Sequence, residues 1–121
     1  MKTVEKLYHY NAVVTDVYDG DTCTVDIDLG MNTWLRGEKI RLYRINTPEI
    51  VGKTKSEGIK SRDYLRKLVL DKAVIIQTIK DRKEKYGRYL GEVWIASKEG
   101  VQKNINDEMV KAKMAVYMDY K

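Results

Sequence analysis

The chain has 121 residues, 43% of them hydrophobic and 34% charged, with nine Tyr, two Trp and no Phe. That is enough apolar mass for one domain over residues 1–121 with a modest core, and too much for a disordered polymer. Lys and Arg outnumber Asp and Glu by 23 to 18, a net charge of +5 that favours a polyanionic partner, while one Cys and one His exclude an internal disulfide and a Cys/His zinc site.

Residues 1–12 (MKTVEKLYHYNA) hold no apolar run fit for a signal peptide, and no stretch approaches a membrane span. This predicts a cytoplasmic protein without a membrane partner; a trimmed form of a secreted protein would read the same way. Leu7–Tyr18, rich in β-branched and aromatic residues, predicts a first strand, and Asp19-Gly20 a tight turn. Thr22–Leu29 alternates, with Cys23, Val25, Ile27 and Leu29 on one face and Thr22, Thr24, Asp26 and Asp28 on the other. Gly30–Glu38 reads as a loop and Lys39–Ile45 as a third strand, closed by Asn46-Thr47-Pro48.

Thr54-Lys55-Ser56-Glu57 has the form of a capping box, and Gly58, Ser61, Leu65, Leu68 and Val69 share one face of the helix expected after it. Ala73–Ile79 predicts a fourth strand, Lys80–Lys85 a charged loop, Tyr89–Ala96 a fifth strand and Lys98-Glu99-Gly100 a turn. Asn106 is placed to cap a last helix over 107–115, with Met109, Val110 and Met114 inward. Five short strands with a helix between the third and fourth, and a helix at the end, is the order of an OB-type β-barrel of the α+β class.

Four segments carry chemistry: Asp19-Gly20-Asp21-Thr22, Arg41, Asn46-Thr47-Pro48-Glu49 and Lys85-Tyr86-Gly87-Arg88. Each has an ordinary structural reading as a turn, a solvated strand residue, a strand exit or a basic loop. Together they supply what phosphodiester cleavage requires, namely carboxylates for a hard cation, two guanidinium forks and a further carboxylate to activate water. The aspartates do not form an EF-hand loop, because Thr15 and Val17 occupy positions that need ligands. His9 and Cys23 are assigned to structure.

In this order the segments resemble the staphylococcal nuclease family, and with Asn106-Asp107-Glu108-Met109-Val110 the matching stretches sample the chain from about Ala12 to Tyr117. The resemblance implies an OB barrel with packed helices and calcium-dependent hydrolysis of DNA or RNA by a monomer, leaving 3′-phosphates. It implies Arg41, Glu49 and Arg88 as catalytic residues. Ca²⁺ would be held by Asp21, the Asn46 side chain and the Thr47 backbone carbonyl, with Asp19 supporting them. Lys85 and Tyr86, with Tyr117 or Tyr120, would contact the nucleotide. Asn46 stands where family members typically carry Asp, which predicts weaker cation binding, and the connection from Glu49 to the first helix is shorter than in the family's secreted prototype. The alternative from another class is a non-catalytic nucleic-acid-binding or protein-interaction module on the same barrel.

Overall fold

Alternation of apolar side chains brings five long strands into a closed barrel, and the computed structural model describes residues 7–96, 100 and 102–118 of the chain. The long strands are β1 (His9–Asp19), β2 (Thr22–Gly30), β3 (Thr33–Leu42), β5 (Ala73–Lys83) and β6 (Tyr89–Ala96). Short strands β4 (Ile45–Asn46), β7 (Gln102–Asn104) and β8 (Val116–Tyr117) accompany helices α1 (Lys55–Val69) and α2 (Ile105–Lys111). The sheet runs β3-β2-β1-β5-β6-β7, and a parallel pairing of Ile40–Leu42 with Tyr89–Gly91 joins β3 to β6 and closes the ring. This mixed five-stranded barrel with two helices is the OB-type α+β architecture expected.

The inward rows are aliphatic. Val14, Val17, Val25, Ile40, Leu42, Ile45 and Ile76 are fully buried, and α1 adds Leu65 and Val69 while α2 adds Ile105 and Met109. β1 pairs with β2 along most of its length and with β5 through His9–Val13. Two register shifts against β2, at Thr15 and at Tyr18, bend it between these partners.

Several elements differ from expectation. Residues 33–38 are strand, not loop: β3 begins at Thr33, because Asp26 accepts from Gly37 N and Arg36 Nη1 and carries the pairing through a bulge at Gly37 (φ 69°). Leu29 is exposed, since it lies where β2 leaves the barrel for the hairpin tip. β5 continues through the expected charged loop to Lys83, with Lys80 and Asp81 at φ 53° making its irregularity. Thr54 makes no side-chain cap; its hydroxyl donates to Glu49 O at 2.9 Å and anchors the chain before α1. Residues 98 and 99 of the expected turn lie outside the described residues.

The last helix is capped by Asn104, whose Oδ1 accepts from Asp107 N at 2.8 Å, and it ends at Lys111. Asn106 instead lies fully buried inside α2. Its Oδ1 accepts from Val93 N (3.0 Å), and its Nδ2 donates to Tyr43 O (2.9 Å) and Gly91 O (3.1 Å). One carboxamide thus sews α2 to β6 and to the segment leaving β3. Asn106→Ala strands a buried N–H and removes a donor from two carbonyls, at roughly 1–3 kcal/mol per group left unsatisfied. Denaturant unfolding of Asn106→Ala is expected to show a loss of about 2–4 kcal/mol.

Candidate active site

Most of the sequence-predicted residues converge because β2, β3 and β6 meet where the barrel closes; Lys85 does not line the shared cleft. Register pairs Thr22 with Arg41 across β2–β3 and Asp19 with Thr22 across β1–β2. Arg41 also pairs with Leu90 on β6, two residues after Arg88. A cleft of about 790 Å³ opens over this junction. Asp19, Asp21, Arg41, Asn46, Thr47, Glu49, Tyr86 and Arg88 line it, together with Asp16, Tyr18, Thr24 and Lys39, which sequence reasoning did not single out.

Close packing of α1 sets the floor. A Cβ on Gly20 would come within 2.8 Å of Ser61 Cβ and 2.9 Å of Thr47 Cγ2, and one on Gly58 would collide with the Glu49 carbonyl. These two positions are glycine for space: Gly20 lies against the Ser61 and Thr47 side chains, and Gly58 against the backbone of Glu49 and Ile50.

Asp21 is the hub. Its Oδ2 accepts from Thr47 N (3.1 Å) and Thr47 Oγ1 (3.0 Å) and lies 3.4 Å from Arg41 Nη2, while Thr22 Oγ1 lies 3.3 Å from Oδ1. Both Asp21 and Arg41 are buried. Arg41 Nη1 donates to Leu42 O at 2.6 Å, and Nη2 reaches Asn46 Oδ1 at 3.4 Å. Its guanidinium therefore faces the cleft in one orientation. Glu49, by contrast, is exposed, and its carboxylate makes no hydrogen bond or ion pair among the described residues.

Arg88 is held by a residue the sequence reading missed. Glu84 receives Arg88 Nε (3.0 Å) and Nη2 (2.9 Å) as a fork and also accepts from the backbone N–H of Tyr86 and Arg88. The Arg88 side-chain bonds, ahead of the backbone ones, pull the Glu84 carboxyl down to about 2. Arg88 Nη1 donates to Thr22 Oγ1 at 3.1 Å. The signal was present as an acid four residues before an arginine, but in a short polar loop that spacing is uninformative without the turn geometry. Lys85 Nζ and Arg88 Cζ lie 5.1 and 5.5 Å from the centre of the Tyr86 ring, which is itself 70% exposed.

Tyr117 lies elsewhere. Its hydroxyl donates to Asp107 Oδ1 (2.8 Å), and Arg44 sits over its ring at 5.7 Å while forking onto Glu92. It lines a separate shallow surface with Lys103 and Lys111. Tyr120 lies outside the described residues. His9 bonds Leu7 O through Nδ1, and burial pushes the Cys23 thiol up to about 12, so both read as structural.

Among the described residues no three Asp, Glu, His or Cys side chains converge as a metal cluster. The oxygens available are the Asp19 and Asp21 carboxylates, the Asn46 carboxamide and the Thr47 carbonyl. Burial, and then the charge of Asp21, pushes the Asp19 carboxyl up to about 6. An all-oxygen set fits a hard divalent cation.

A family model described as staphylococcal nuclease homologue matches residues 39–121. The chain belongs to this nuclease-like family. It is 30% identical over 106 residues to a thermonuclease of Staphylococcus intermedius, covering 85% of this chain and 54% of that protein. It is 31% identical over 124 residues to an uncharacterized protein of Methanocaldococcus jannaschii (85% and 56%) and 33% identical over 106 residues to Protein ParB of Escherichia coli (84% and 54%). The chain thus spans a little over half the length of these relatives. The family match includes Arg41, Asn46, Glu49 and Arg88, whereas Asp19 and Asp21 precede it.

The acidic pair has a stability signature. An Asp19 carboxyl near 6 in the folded chain and 3.8 unfolded means that the folded state binds more protons between those values. Stability contributed by the protonated form is present at low pH and lost as pH rises through about 6. In chelator, Asp19→Asn is expected to melt higher than wild type at pH 7, with the gap closing by pH 4. Thermal melts across that range check it, and Ca²⁺ at pH 7 is expected to narrow the gap by stabilising wild type.

Proposed function

We propose that the chain is a calcium-dependent nuclease that hydrolyses phosphodiesters of DNA or RNA. The observation that carries this reading is one cleft lined by two anchored guanidinium groups, an uncommitted carboxylate and a cluster of oxygen donors. Glu49, exposed and without a partner among the described residues, takes a proton from water attacking phosphorus. Arg41 and Arg88, held by Leu42 O and by the Glu84 fork, donate N–H bonds to the phosphate oxygens as their charge grows, and Arg88 also assists departure of the 5′ oxygen. The product is a 3′-phosphate. Asp21, Asn46 and the Thr47 carbonyl would hold Ca²⁺ with Asp19 supporting them, and the ion supplies fixed positive charge beside a phosphate oxygen. Lys85 and Tyr86 grip the nucleotide next to that phosphate.

The test is incubation with single-stranded DNA and RNA in Ca²⁺ or in chelator. Cleavage arrested by chelator is expected; binding without cleavage in Ca²⁺ would assign the barrel to a non-catalytic module. Glu49→Gln keeps the side chain's shape but removes its basicity, so kcat is expected to fall by about 10²–10⁴ with substrate affinity and melting temperature little changed. Turnover near that of wild type would take the base role from Glu49.

Asn46 supports a second measurement. A carboxamide offers oxygen to Ca²⁺ but lacks a charge that, at ~4 Å and an effective dielectric of ~20, amounts to about 4 kcal/mol before desolvation reclaims much of it. Asn46→Asp is expected to lower the half-saturating Ca²⁺ concentration of cleavage by roughly one to two orders of magnitude. Identical midpoints would remove Asn46 from the ligand set.

A further inference from the structure

The cleft extends past the residues assigned so far. Part of its wall is built by β1, β2 and β3, where Asp16 pairs with Thr24 and Thr24 with Lys39, one row beyond Asp19, Thr22 and Arg41. Lys39 and Arg41 are two residues apart on β3 and line the same cleft. Ile40, the residue after Lys39, pairs in parallel with Tyr89, the residue after Arg88. Arg88, Arg41 and Lys39 thus bring three cationic side chains to one cleft.

Tyr18 lines the same cleft. Val17 pairs with Cys23 and Asp19 with Thr22, which leaves Tyr18 as the extra residue of a β-bulge. A bulge re-aims a side chain out of strict alternation. Here it sets the ring on the cleft rim, 63% exposed, while Val17 stays fully buried. Neither the Tyr18 hydroxyl nor the Lys39 ammonium has a hydrogen-bond or ion-pair partner among the described residues. Tyr86, 70% exposed, lines the same cleft with Lys85 Nζ 5.1 Å from its ring centre.

We propose that Tyr18 and Lys39 form a second nucleotide subsite, in which the Tyr18 ring stacks a base and Lys39 takes the phosphate joining it to the nucleotide at Arg41 and Arg88. The proposal rests on the nuclease reading for the placement of the cleaved phosphate. Aromatic ring and cation on successive sides of a strand suit a single-stranded polyanion whose bases are free to stack. Asp16 at the end of the row repels phosphate, which keeps the strand's backbone on the Lys39 side and its base over Tyr18.

The test measures binding of a fluorescein-labelled single-stranded hexadeoxynucleotide by anisotropy in chelator, with an unlabelled dinucleotide too short to span both subsites as competitor. Cleavage of both in Ca²⁺ is followed in parallel. Tyr18→Ala is expected to raise the hexamer Kd about tenfold and leave the dinucleotide unchanged, whereas Tyr18→Phe, which keeps the ring, binds like wild type. Lys39→Gln is expected to flatten the dependence of log Kd on log salt by about 0.7 for the hexamer. A hexamer Kd within twofold of wild type in Tyr18→Ala, or equal losses on both ligands, overturns the subsite while leaving cleavage by wild type intact. Wild type that neither binds nor cleaves overturns the nuclease reading, and the subsite with it.

Discussion

One carboxylate holds the site together. Asp21 joins three pieces of chain that are distant in sequence: the β1–β2 turn, the Arg41 end of β3 and the Thr47 segment, through Thr47 N, Thr47 Oγ1 and the Arg41 guanidinium. Its own carbonyl receives Leu42 N at 2.8 Å. Three donors and a cation fix this side chain in place, while burial, and then the charge of Asp21, pushes the Asp19 carboxyl up to about 6. The pair is therefore asymmetric, with Asp21 tied to three segments of chain and Asp19 raised by its surroundings.

The barrel was legible because its signals are periodic. Cys23, Val25 and Ile27 alternate inward in β2, and Gly58, Ser61, Leu65 and Val69 share a helical face. The failures have a common physical origin. Asn106 and Asn104 are chemically identical as caps, and only tertiary packing decides that one bonds Asp107 N while the other is drawn into the core. β3 begins early because Asp26, on the neighbouring strand, supplies the bonds its bulge needs. Thr54 serves Glu49 O in place of its own helix because the chain turns there against Gly58. Each is a local pattern overridden by a partner far away in sequence.

The candidate site was legible as residue types and not as geometry. Arg41, Glu49, Asp21 and Arg88 line one cleft as their spacing and order suggested, while Tyr117 is occupied with Asp107 and Arg44 on another surface. Glu84 escaped notice because a fork onto Arg88 depends on the turn at Gly87 (φ 81°), where Gly87 N donates to Glu84 O. Tyr18 escaped because the consequence of a bulge is a register, which only a partner strand reveals.

The same geometry decides which substitutions report on chemistry. Arg41 and Asp21 are buried against each other, with side chains 7% and 8% exposed. Removing either leaves an uncompensated charge and typically costs about 3–5 kcal/mol, so lost activity in an Arg41 variant mixes unfolding with lost transition-state contact. Arg88 is coupled to Glu84 in the same way, though it is more open to solvent. Glu49 is different, since it is exposed, free of partners among the described residues, and fixed mainly through its backbone by Gly58 and Thr54. A change confined to its carboxylate leaves those backbone contacts in place. Among the residues proposed to act on phosphate, it is the one whose kinetics can be read as catalysis without first subtracting a loss of fold.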